Sequence, residues 1–523
     1  MNPPQAAEYG GSTPQAAEYW SRALLVVGAA GLIRLVIASQ APLFPDETYY
    51  WEWSRRLAAG YFDHPPLVAW LIRLGTLIFG DSPLGVRFGP VLAGIVGSLL
   101  LILAARRLGG DRAAFMAAVV FVVMPLSAAG LILATPDAGL LTAATGVIYA
   151  AVRALEHPAK SRQSLQWWCV AGAVQGIAFW AKYTAILVPA GLAIALVLHA
   201  GHRARLREPG PYVATLIASL IFSPVLLWNA NHDWVSFTYQ LQHGLVGSGG
   251  SMLRRESELL GGQLGVVSPI LFVLMLNAVI RGARGPAATS ISRVLSVATL
   301  FVLAFFAYSA TQRRVEANWP ALAYLPATLL LAAHPRSARW DRWLNAGVAV
   351  AVVITLVTYL NTFVPVLPVP VARDPAARAS GWGDLARVVA QVRDSQVGSR
   401  VTSPKSRMFI AGNRYQEASE LAFHLPGHPR TLSLNYHGRP NQYDLWPRFT
   451  ERAKRGDKLI LIVDDLGAGA DALITALTPH FDDVNTGLPV TLVRGGDVVK
   501  YLRMWELAGW RGTWPQSPLR SRP

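Results

Sequence analysis

Long apolar stretches recur between Ala23 and Asn361 of this 523-residue chain, and only short polar loops separate them. An apolar stretch of about 18 or more residues is long enough to cross a bilayer as a helix. Charged residues make up 15% of the chain, whereas an ordinary soluble domain has about 25%. The sequence therefore predicts a polytopic α-helical membrane protein.

Counting the apolar stretches gives about eleven predicted transmembrane helices. The polar segment 1–22 precedes them and is predicted to be a cytoplasmic tail. The predicted spans are 23–40, 84–104, 113–133, 138–153, 167–181, 184–199, 212–228, 263–280, 293–309, 319–333 and 343–361.

The formal net charge of +16 comes largely from basic residues in short loops between the spans, such as Arg203, Arg205 and Arg207. Lysine and arginine in short loops mark the cytoplasmic side of a membrane protein. The positive charge is therefore interpreted as a topology signal, and no nucleic-acid partner is predicted. Cys169 is the only cysteine, which excludes an intramolecular disulfide and a cysteine-rich zinc site.

The character of the sequence changes after Asn361, where a proline-rich linker is followed by soluble patterns. Helical and strand patterns alternate there, including the strand candidate KLILIVDD, which predicts a small α/β domain. The parity of the spans places this domain outside the cytoplasm. The predicted organisation is a tail at 1–22, a membrane domain at 23–361 with its first outer loop at 41–83, and a soluble periplasmic domain at 362–523.

The candidate acidic side chains Asp46, Glu47, Asp63, Asp137 and Asp233 come from three outer loops. The first reads FPDETYYWEWSRRLAAGYFDHPPLVAW at 44–70, and the others contain TPD at 135–137 and WNANHDW at 228–234. Ionisable groups near membrane depth are costly and usually mark a functional site. Structural alternatives remain open: loop acids are commonly solvated, tryptophan and tyrosine form interfacial belts, and Asp137 can stabilise a helix N-terminus.

Five motifs carry a family resemblance: PDETYYWEWSRR, TPDAGLL, WAKYTA, WNANHDWVSF and EANWPA. In this order they resemble the polytopic GT-C glycosyltransferases, in the bacterial branch related to protein O-mannosyltransferases and the lipid A aminoarabinose transferase. The resemblance implies sugar transfer from a polyprenyl-phosphate donor at the outer face of the bacterial inner membrane. The acceptor would be a lipid, a polysaccharide or a protein.

The resemblance also implies roles for individual residues. Asp46 matches the catalytic acid of the first loop, with Glu47 as its substitute, and Asp137 matches a second essential acid. The donor phosphate would be bound by His64, which replaces a lysine of the aminoarabinose transferases, together with Lys182 and Arg313. Substrate contacts are expected from Tyr50, Asn229, Trp234 and Asn318. A divalent metal ion (Mg, Mn or Zn) would be held by Asp63, His64, His232 and Asp233.

The predicted chemistry is an inverting displacement at the anomeric carbon. A carboxylate takes the proton of the acceptor hydroxyl as general base, and cations stabilise the charge on the departing lipid phosphate. A transporter or flippase-like protein for lipid-linked sugars is the alternative function. Transporters bury ionisable groups near the bilayer midplane within repeated architectures, whereas the acids here lie in loops on one predicted face.

Overall fold

A computed structural model of the chain describes residues 14–245, 247, 251–286, 288–335, 337–397, 406–436, 438–464 and 469–515. Most of the predicted tail, residues 1–13, lies outside the described residues. The chain divides into two compact units, and each is described by itself. The first comprises Met1–Ile37, Pro90–Leu227 and Leu241–Leu356, and the second comprises Ala38–Gly89, Trp228–Gln240 and Val357–Pro523.

Helices dominate the chain up to Phe363. The α-helices are α1 Pro14–Gln40, α2 Pro45–Ser54, α3 Leu67–Phe79, α4 Pro83–Val123, α5 Pro125–Gly130, α6 Pro136–Glu156, α7 Arg162–Ala181, α8 Leu187–Leu198, α9 Pro209–Ala230, α10 Val235–Leu245, α11 Met252–Val267, α12 Pro269–Arg284, α13 Ser290–Gln312, α14 Ala321–Ala332 and α15 Ala338–Phe363. Short 3₁₀ helices cover Tyr183–Ile186 and Ala200–Arg207.

Within the described ranges, six helices are long and apolar enough to cross a membrane, or up to eight if each of two bent helix pairs forms one span. The helical membrane fold is therefore confirmed, but the count of eleven spans is not. The six helices are Glu18–Gln40, Pro83–Val123, Pro136–Glu156, Pro209–Ala230, Ser290–Gln312 and Ala338–Phe363.

Three predicted spans differ from the observed helices because the backbone bends or breaks within or between them. The predicted span 263–280 crosses a bend of 99° between α11 and α12. Ser268 has a φ of +87° there, and Pro269 lacks the N–H that would continue the helical hydrogen bonding. Helix α4 contains the predicted span 84–104 and the first part of the predicted span 113–133, and the non-helical backbone of Gly109 and Gly110 separates the two segments. The rest of the span 113–133 includes α5, which begins at Pro125.

Close helix packing in the first unit holds the start of α6 beside the end of α7. A Cβ atom added to Gly146 of α6 would lie 2.9 Å from Val174 Cγ1 of α7, and one added to Gly172 of α7 would lie 2.4 Å from Ala214 O of α9. Small residues at such contacts allow helix backbones to approach closely. The packing therefore fixes the helix ends that carry Asp137 and Lys182.

The second unit contains a six-stranded mixed sheet in the order β2-β1-β3-β6-β4, with β5 also pairing with β6. Strand β1 runs parallel to β2 and β3, and β6 runs antiparallel to β3. The predicted strand KLILIV forms β3 and is buried along its length, as expected for a strand covered on both faces. The strands are β1 Met408–Gly412, β2 Leu432–Ser433, β3 Lys458–Asp464, β4 Phe481–Val484, β5 Leu488–Arg494 and β6 Asp497–Trp510.

Helices cover the sheet and confirm the predicted small C-terminal α/β domain. They are α16 Trp382–Val397, α17 Tyr415–His424, α18 Phe449–Arg452 and α19 Gly469–Leu477, with 3₁₀ helices at Val371–Arg373, Pro375–Ala379, Gln442–Leu445 and Thr478–His480.

The same unit includes the first loop, because α2 packs against α17. The Thr48 hydroxyl donates to Ser419 Oγ at 3.0 Å, and Phe62 N donates to Gln442 Oε1 at 2.8 Å. Arg55 Nη2 donates to the carbonyl of His428 at 2.7 Å. The acidic loop is thus held directly by the C-terminal domain.

Candidate active site

Asp46 lies in the first turn of α2, directly after Pro45 at the first helical position. Its half-buried carboxylate accepts a hydrogen bond from the Tyr415 hydroxyl at Oδ1, over 2.9 Å. This is the only hydrogen bond or ion pair of the Asp46 side chain within the described part of the chain. Oδ2 of Asp46 accepts no hydrogen bond among the residues described, so the carboxylate presents one uncommitted oxygen.

Glu47 is buried and fully engaged, in contrast to its neighbour. Arg87 Nε donates to Glu47 Oε1 at 2.7 Å, and Arg87 Nη2 donates to Oε2 at 2.6 Å. Arg87 also donates to the carbonyls of Ala41 and Pro42, each at 2.7 Å. Because Glu47 anchors the entry to α2 through this pair, its contacts indicate a structural role and do not support the predicted role as substitute base.

Glu47→Gln is expected to lower stability by about 3–5 kcal/mol, since removal of one partner leaves the buried Arg87 charge uncompensated. Thermal unfolding of the purified protein in detergent measures the change. Asp483→Asn is the matched control, because Asp483 is exposed on β4 of the same unit. Normal stability of Glu47→Gln together with lost activity would return Glu47 to the chemistry.

Asp63 is buried beneath an arginine from the C-terminal domain. Arg439 Nη1 donates to Asp63 Oδ1 at 2.5 Å, and the Tyr49 hydroxyl donates to Oδ2 at 2.6 Å. Burial raises the pKa of the Asp63 carboxyl, although the Arg439 charge partly opposes this. The Arg439 side chain is 41% exposed and lies over the ring of Tyr415 at 4.9 Å, so its cationic group borders both acids.

Tyr50 and His64 lie beside these carboxylates. Burial raises the pKa of the Tyr50 hydroxyl well above its usual value, and the charges of Asp46 and Asp63 raise it further. Tyr50 therefore stays a neutral hydrogen-bond donor at physiological pH. The His64 ring is 6.1 Å from that of Tyr50, and its Nδ1 is 3.3 Å from Gln240 Nε2.

The segment 228–234 comprises the last residues of α9 and the tight turn at 231–234 that follows them. The His232 ring stacks on Trp228 with centroids 4.0 Å apart. The carbonyl of buried Asn229 accepts the backbone N–H groups of His232 and Trp234, so Asn229 shapes the turn. Trp234 is 49% exposed, and its φ of +55° follows a φ of +53° at Asp233.

The predicted metal cluster is not formed. Among the residues that the structure describes, no group of three or more His, Cys, Asp or Glu side chains could hold a metal ion. Asp63 is occupied by Arg439 and Tyr49, His232 stacks on Trp228, and Asp233 is exposed. Asp63, His64, His232 and Asp233 therefore do not fit the predicted divalent ion, and no chemical step is assigned to one.

The first unit brings together three predicted residues from separate loops. Asp137 lies in the first turn of α6, Lys182 follows α7, and Asn318 precedes α14. Lys182 Nζ is 2.9 Å from Asp137 Oδ1, and Asn318 Nδ2 donates to Asp137 Oδ2 at 2.6 Å. Lys182 and Asp137 are only 12% and 13% exposed. Arg313 instead donates to the carbonyl of Gln242 at 2.5 Å.

Sequence reasoning missed Tyr415 and Arg439, the two C-terminal residues that contact the first-loop acids. They lie 369 and 376 positions from Asp46 and Asp63 respectively. No periodicity or spacing rule connects such distant positions.

The chain is similar to known proteins in sequence and in fold. The family described as dolichyl-phosphate-mannose-protein mannosyltransferase matches residues 63–228. Lipid A galacturonosyltransferase RgtD of Rhizobium johnstonii is 29% identical over 393 residues, covering 74% of this chain and 81% of RgtD. The structure of ArnT from Cupriavidus metallidurans bound to undecaprenyl phosphate covers 94% of this chain and 99% of ArnT, with a TM-score of 0.64 and 17% identity. These matches confirm the predicted resemblance to the GT-C glycosyltransferases.

A second group of relatives supports the same family. The undecaprenyl phosphate-alpha-4-amino-4-deoxy-L-arabinose arabinosyl transferase 2 of Pseudomonas fluorescens is 28% identical over 245 residues, or 44% of this chain and 42% of that protein. The GT-C glycosyltransferase described here is therefore an enzyme and a multi-pass membrane protein. The predicted family and enzyme class are confirmed.

Proposed function

We propose that this GT-C glycosyltransferase transfers a sugar from a polyprenyl-phosphate donor to a hydroxyl of a glycolipid, polysaccharide or protein acceptor. The names of its relatives support the proposal, since one is a lipid A galacturonosyltransferase and another an undecaprenyl phosphate-aminoarabinose transferase. The likeness to ArnT bound to undecaprenyl phosphate supports a fold suited to a prenyl-linked donor.

Asp46 is the proposed general base, and one observation carries this assignment. In the first loop Glu47 is bound by Arg87, Glu52 by Arg55, and Asp63 by Arg439 and Tyr49. Asp46 makes a single hydrogen bond, to Tyr415, among the residues described. A base must have an oxygen free to accept the acceptor's proton. The Tyr415 bond orients the carboxylate, and the second oxygen takes the proton as the hydroxyl attacks the anomeric carbon.

Cationic side chains are proposed to stabilise the departing lipid phosphate, where negative charge develops. Lys182 is the first candidate, because Asp137 and Asn318 fix the position of its ammonium group. His64 and Arg313 remain proposed phosphate ligands. We add Arg439, whose guanidinium is partly exposed while anchored on Asp63, because arginine presents several N–H donors suited to phosphate oxygens.

Transfer by purified protein tests the function. The wild-type protein, in liposomes with a labelled polyprenyl-phosphate sugar and lipid A, is expected to move the label covalently onto the acceptor. Movement of the labelled donor between leaflets without a glycosylated product would support the transporter alternative. Label transfer without any leaflet exchange would exclude that alternative as the primary activity.

We propose that the reaction takes place on the periplasmic face of the inner membrane. The proposal is supported by the distribution of arginine among the loops, which orients the predicted spans. A periplasm-dependent reporter fused to the C-terminus is expected to be active, and a cytoplasm-dependent reporter inactive. The opposite pattern would invert the proposed topology.

A further inference from the structure

A cavity of about 230 Å³ in the second unit is lined by basic and aromatic side chains. Its one acidic lining residue, Asp444, already accepts hydrogen bonds from Asn435 Nδ2 at 2.7 Å and Asn441 N at 2.8 Å. The cavity therefore has a strong excess of positive charge. Its arginines come from the loop after α2 and from the C-terminal domain, and they are Arg56, Arg430, Arg448 and Arg452.

Internal carboxylates neutralise little of this charge. Arg56 is 3.6 Å from Glu52, and its buried Nε has no hydrogen-bond partner within the described ranges. Arg448 is 4.0 Å from the exposed Glu451. No ion pair within 4.0 Å involves Arg430 or Arg452 among the residues described, although the Arg430 charge also acts on the buried Glu52 carboxylate. Clustered like charges that lack counterions attract an anionic ligand.

The pKa directions of two cavity arginines agree with a site that attracts an anion. Burial lowers the pKa of Arg56; Glu52 opposes this shift, and the nearby Arg430 charge adds to it. Burial likewise lowers the pKa of Arg452, and the charges of Arg430 and Arg407 lower it further. Both guanidinium groups therefore gain stabilisation when an anion enters.

Aromatic rings form the rest of the cavity wall. The Arg56 guanidinium lies 4.0 Å over the ring of Trp446, and the Tyr443 ring lies 5.2 Å from Trp446. Trp514 lines the cavity as well. Ligand pockets combine apolar and aromatic surface with a few placed polar groups. A sugar ring can pack on such flat surfaces while its phosphate meets the arginines.

We propose that this cavity binds a phosphorylated sugar unit of the acceptor glycolipid. Arginine recognises phosphate through paired N–H···O bonds. The cavity adjoins the acid cluster: Tyr443 in its wall stacks on Tyr49, with ring centroids 6.1 Å apart, and Tyr49 bonds Asp63. Asp46 lies at the start of α2 and Arg56 just after its end, roughly 15 Å apart at 1.5 Å per residue. An acceptor bound in the cavity would therefore lie about the length of this short helix from the proposed base, Asp46.

Direct binding tests the cavity independently of transfer. Full-length protein in detergent is titrated with glucosamine 1-phosphate, glucosamine and inorganic phosphate. Arg430→Gln/Arg452→Gln is expected to weaken binding of glucosamine 1-phosphate at least about tenfold, because hydrogen bonds to charged groups are worth about one such factor each. Arg387→Gln removes an exposed arginine of α16 that does not line the cavity, and it should leave binding unchanged. Equal affinity of wild type and double variant, or equal binding of glucosamine, overturns the proposal.

Kinetics distinguish the two substrates that could supply a sugar phosphate, the acceptor glycolipid and the polyprenyl-phosphate donor. The inference rests on the proposed transfer reaction, and the double variant is expected to raise KM for lipid A at least about tenfold with KM for the donor unchanged. Dephosphorylated lipid A should already show this raised KM with wild-type protein. A raised KM for the donor alone assigns the cavity to the donor and overturns the proposal. If no transfer occurs, the proposed function fails while the binding result still stands.

Folding of the variants is checked by thermal unfolding. Arg430 is exposed, so the single variant Arg430→Gln is expected to fold. It tests the proposal if the double variant does not fold. The single variant is expected to weaken binding of glucosamine 1-phosphate several-fold. Unchanged binding by a folded single variant, with the double variant unfolded, also overturns the proposal.

Discussion

Asp46→Asn is expected to reduce transfer by about 10²- to 10⁴-fold, the usual contribution of a general base. The amide preserves the size of the side chain and can still accept the Tyr415 hydrogen bond, but it cannot take the acceptor's proton. Initial rates with a labelled donor, measured alongside thermal unfolding, separate loss of chemistry from loss of structure. KM for the donor should change little.

Two further variants control this prediction. Tyr415→Phe removes the only hydrogen bond to Asp46 within the described chain, so a smaller loss in kcat is expected than for Asp46→Asn. Asp483→Asn removes an exposed acid on β4 and should leave the rate unchanged. Near-normal turnover of a folded Asp46→Asn protein would remove Asp46 from the mechanism.

Asp137→Ala is expected to lower kcat/KM about 30-fold or more, because truncating one partner of a buried charge pair costs about 2–5 kcal/mol. The carboxylate positions both Lys182 and Asn318, so its removal frees the lysine to leave its present position. Steady-state kinetics of Asp137→Ala and Lys182→Met measure the effect. Because the two residues act as one unit, the double variant should be little worse than either single variant.

Asp137→Asn separates this function from a purely structural one. Asparagine keeps a hydrogen-bond acceptor in the first turn of α6 but loses the charge that holds Lys182. The proposed role predicts a rate close to that of Asp137→Ala in a protein that still folds. Wild-type turnover of Asp137→Asn would reduce Asp137 to a residue that stabilises the start of the helix.

The lengths of the apolar stretches predicted much of the membrane fold, because whether a helix lies in the bilayer depends mainly on its own sequence. The predicted span 138–153 corresponds to α6, Pro136–Glu156, and the predicted span 293–309 to α13, Ser290–Gln312. The errors arose where hydropathy is insensitive to the backbone, as at Ser268 and Pro269. The predicted span 319–333 corresponds to α14, whose 12 residues extend only about 18 Å, less than a bilayer core of about 30 Å.

The candidate site was predictable only in part. The order of the motifs placed Asp137, Lys182 and Asn318 on one predicted face of the membrane, and the structure brings these three together. Glu47 looks equivalent to Asp46 in sequence, yet its capping position turns it towards Phe44 and Arg87.

Contacts across hundreds of residues account for the other differences. Arg439 pairs with Asp63 where the C-terminal domain packs on the first loop, as α17 does on α2. No local sequence pattern predicts this packing. The same pairing occupies a carboxylate that the sequence suggested as a metal ligand. The types and spacing of these residues therefore indicated a charged site. They did not indicate which charged side chains pair with one another.

The most direct test of the proposed base is chemical rescue of Asp46→Ala with formate. The small carboxylate can enter the space left by the Asp46 side chain and accept the acceptor's proton. Transfer by the folded variant is expected to be nearly absent without formate and to rise with formate concentration towards saturation. A folded Asp46→Ala protein that transfers sugar at the wild-type rate without formate would contradict the mechanism.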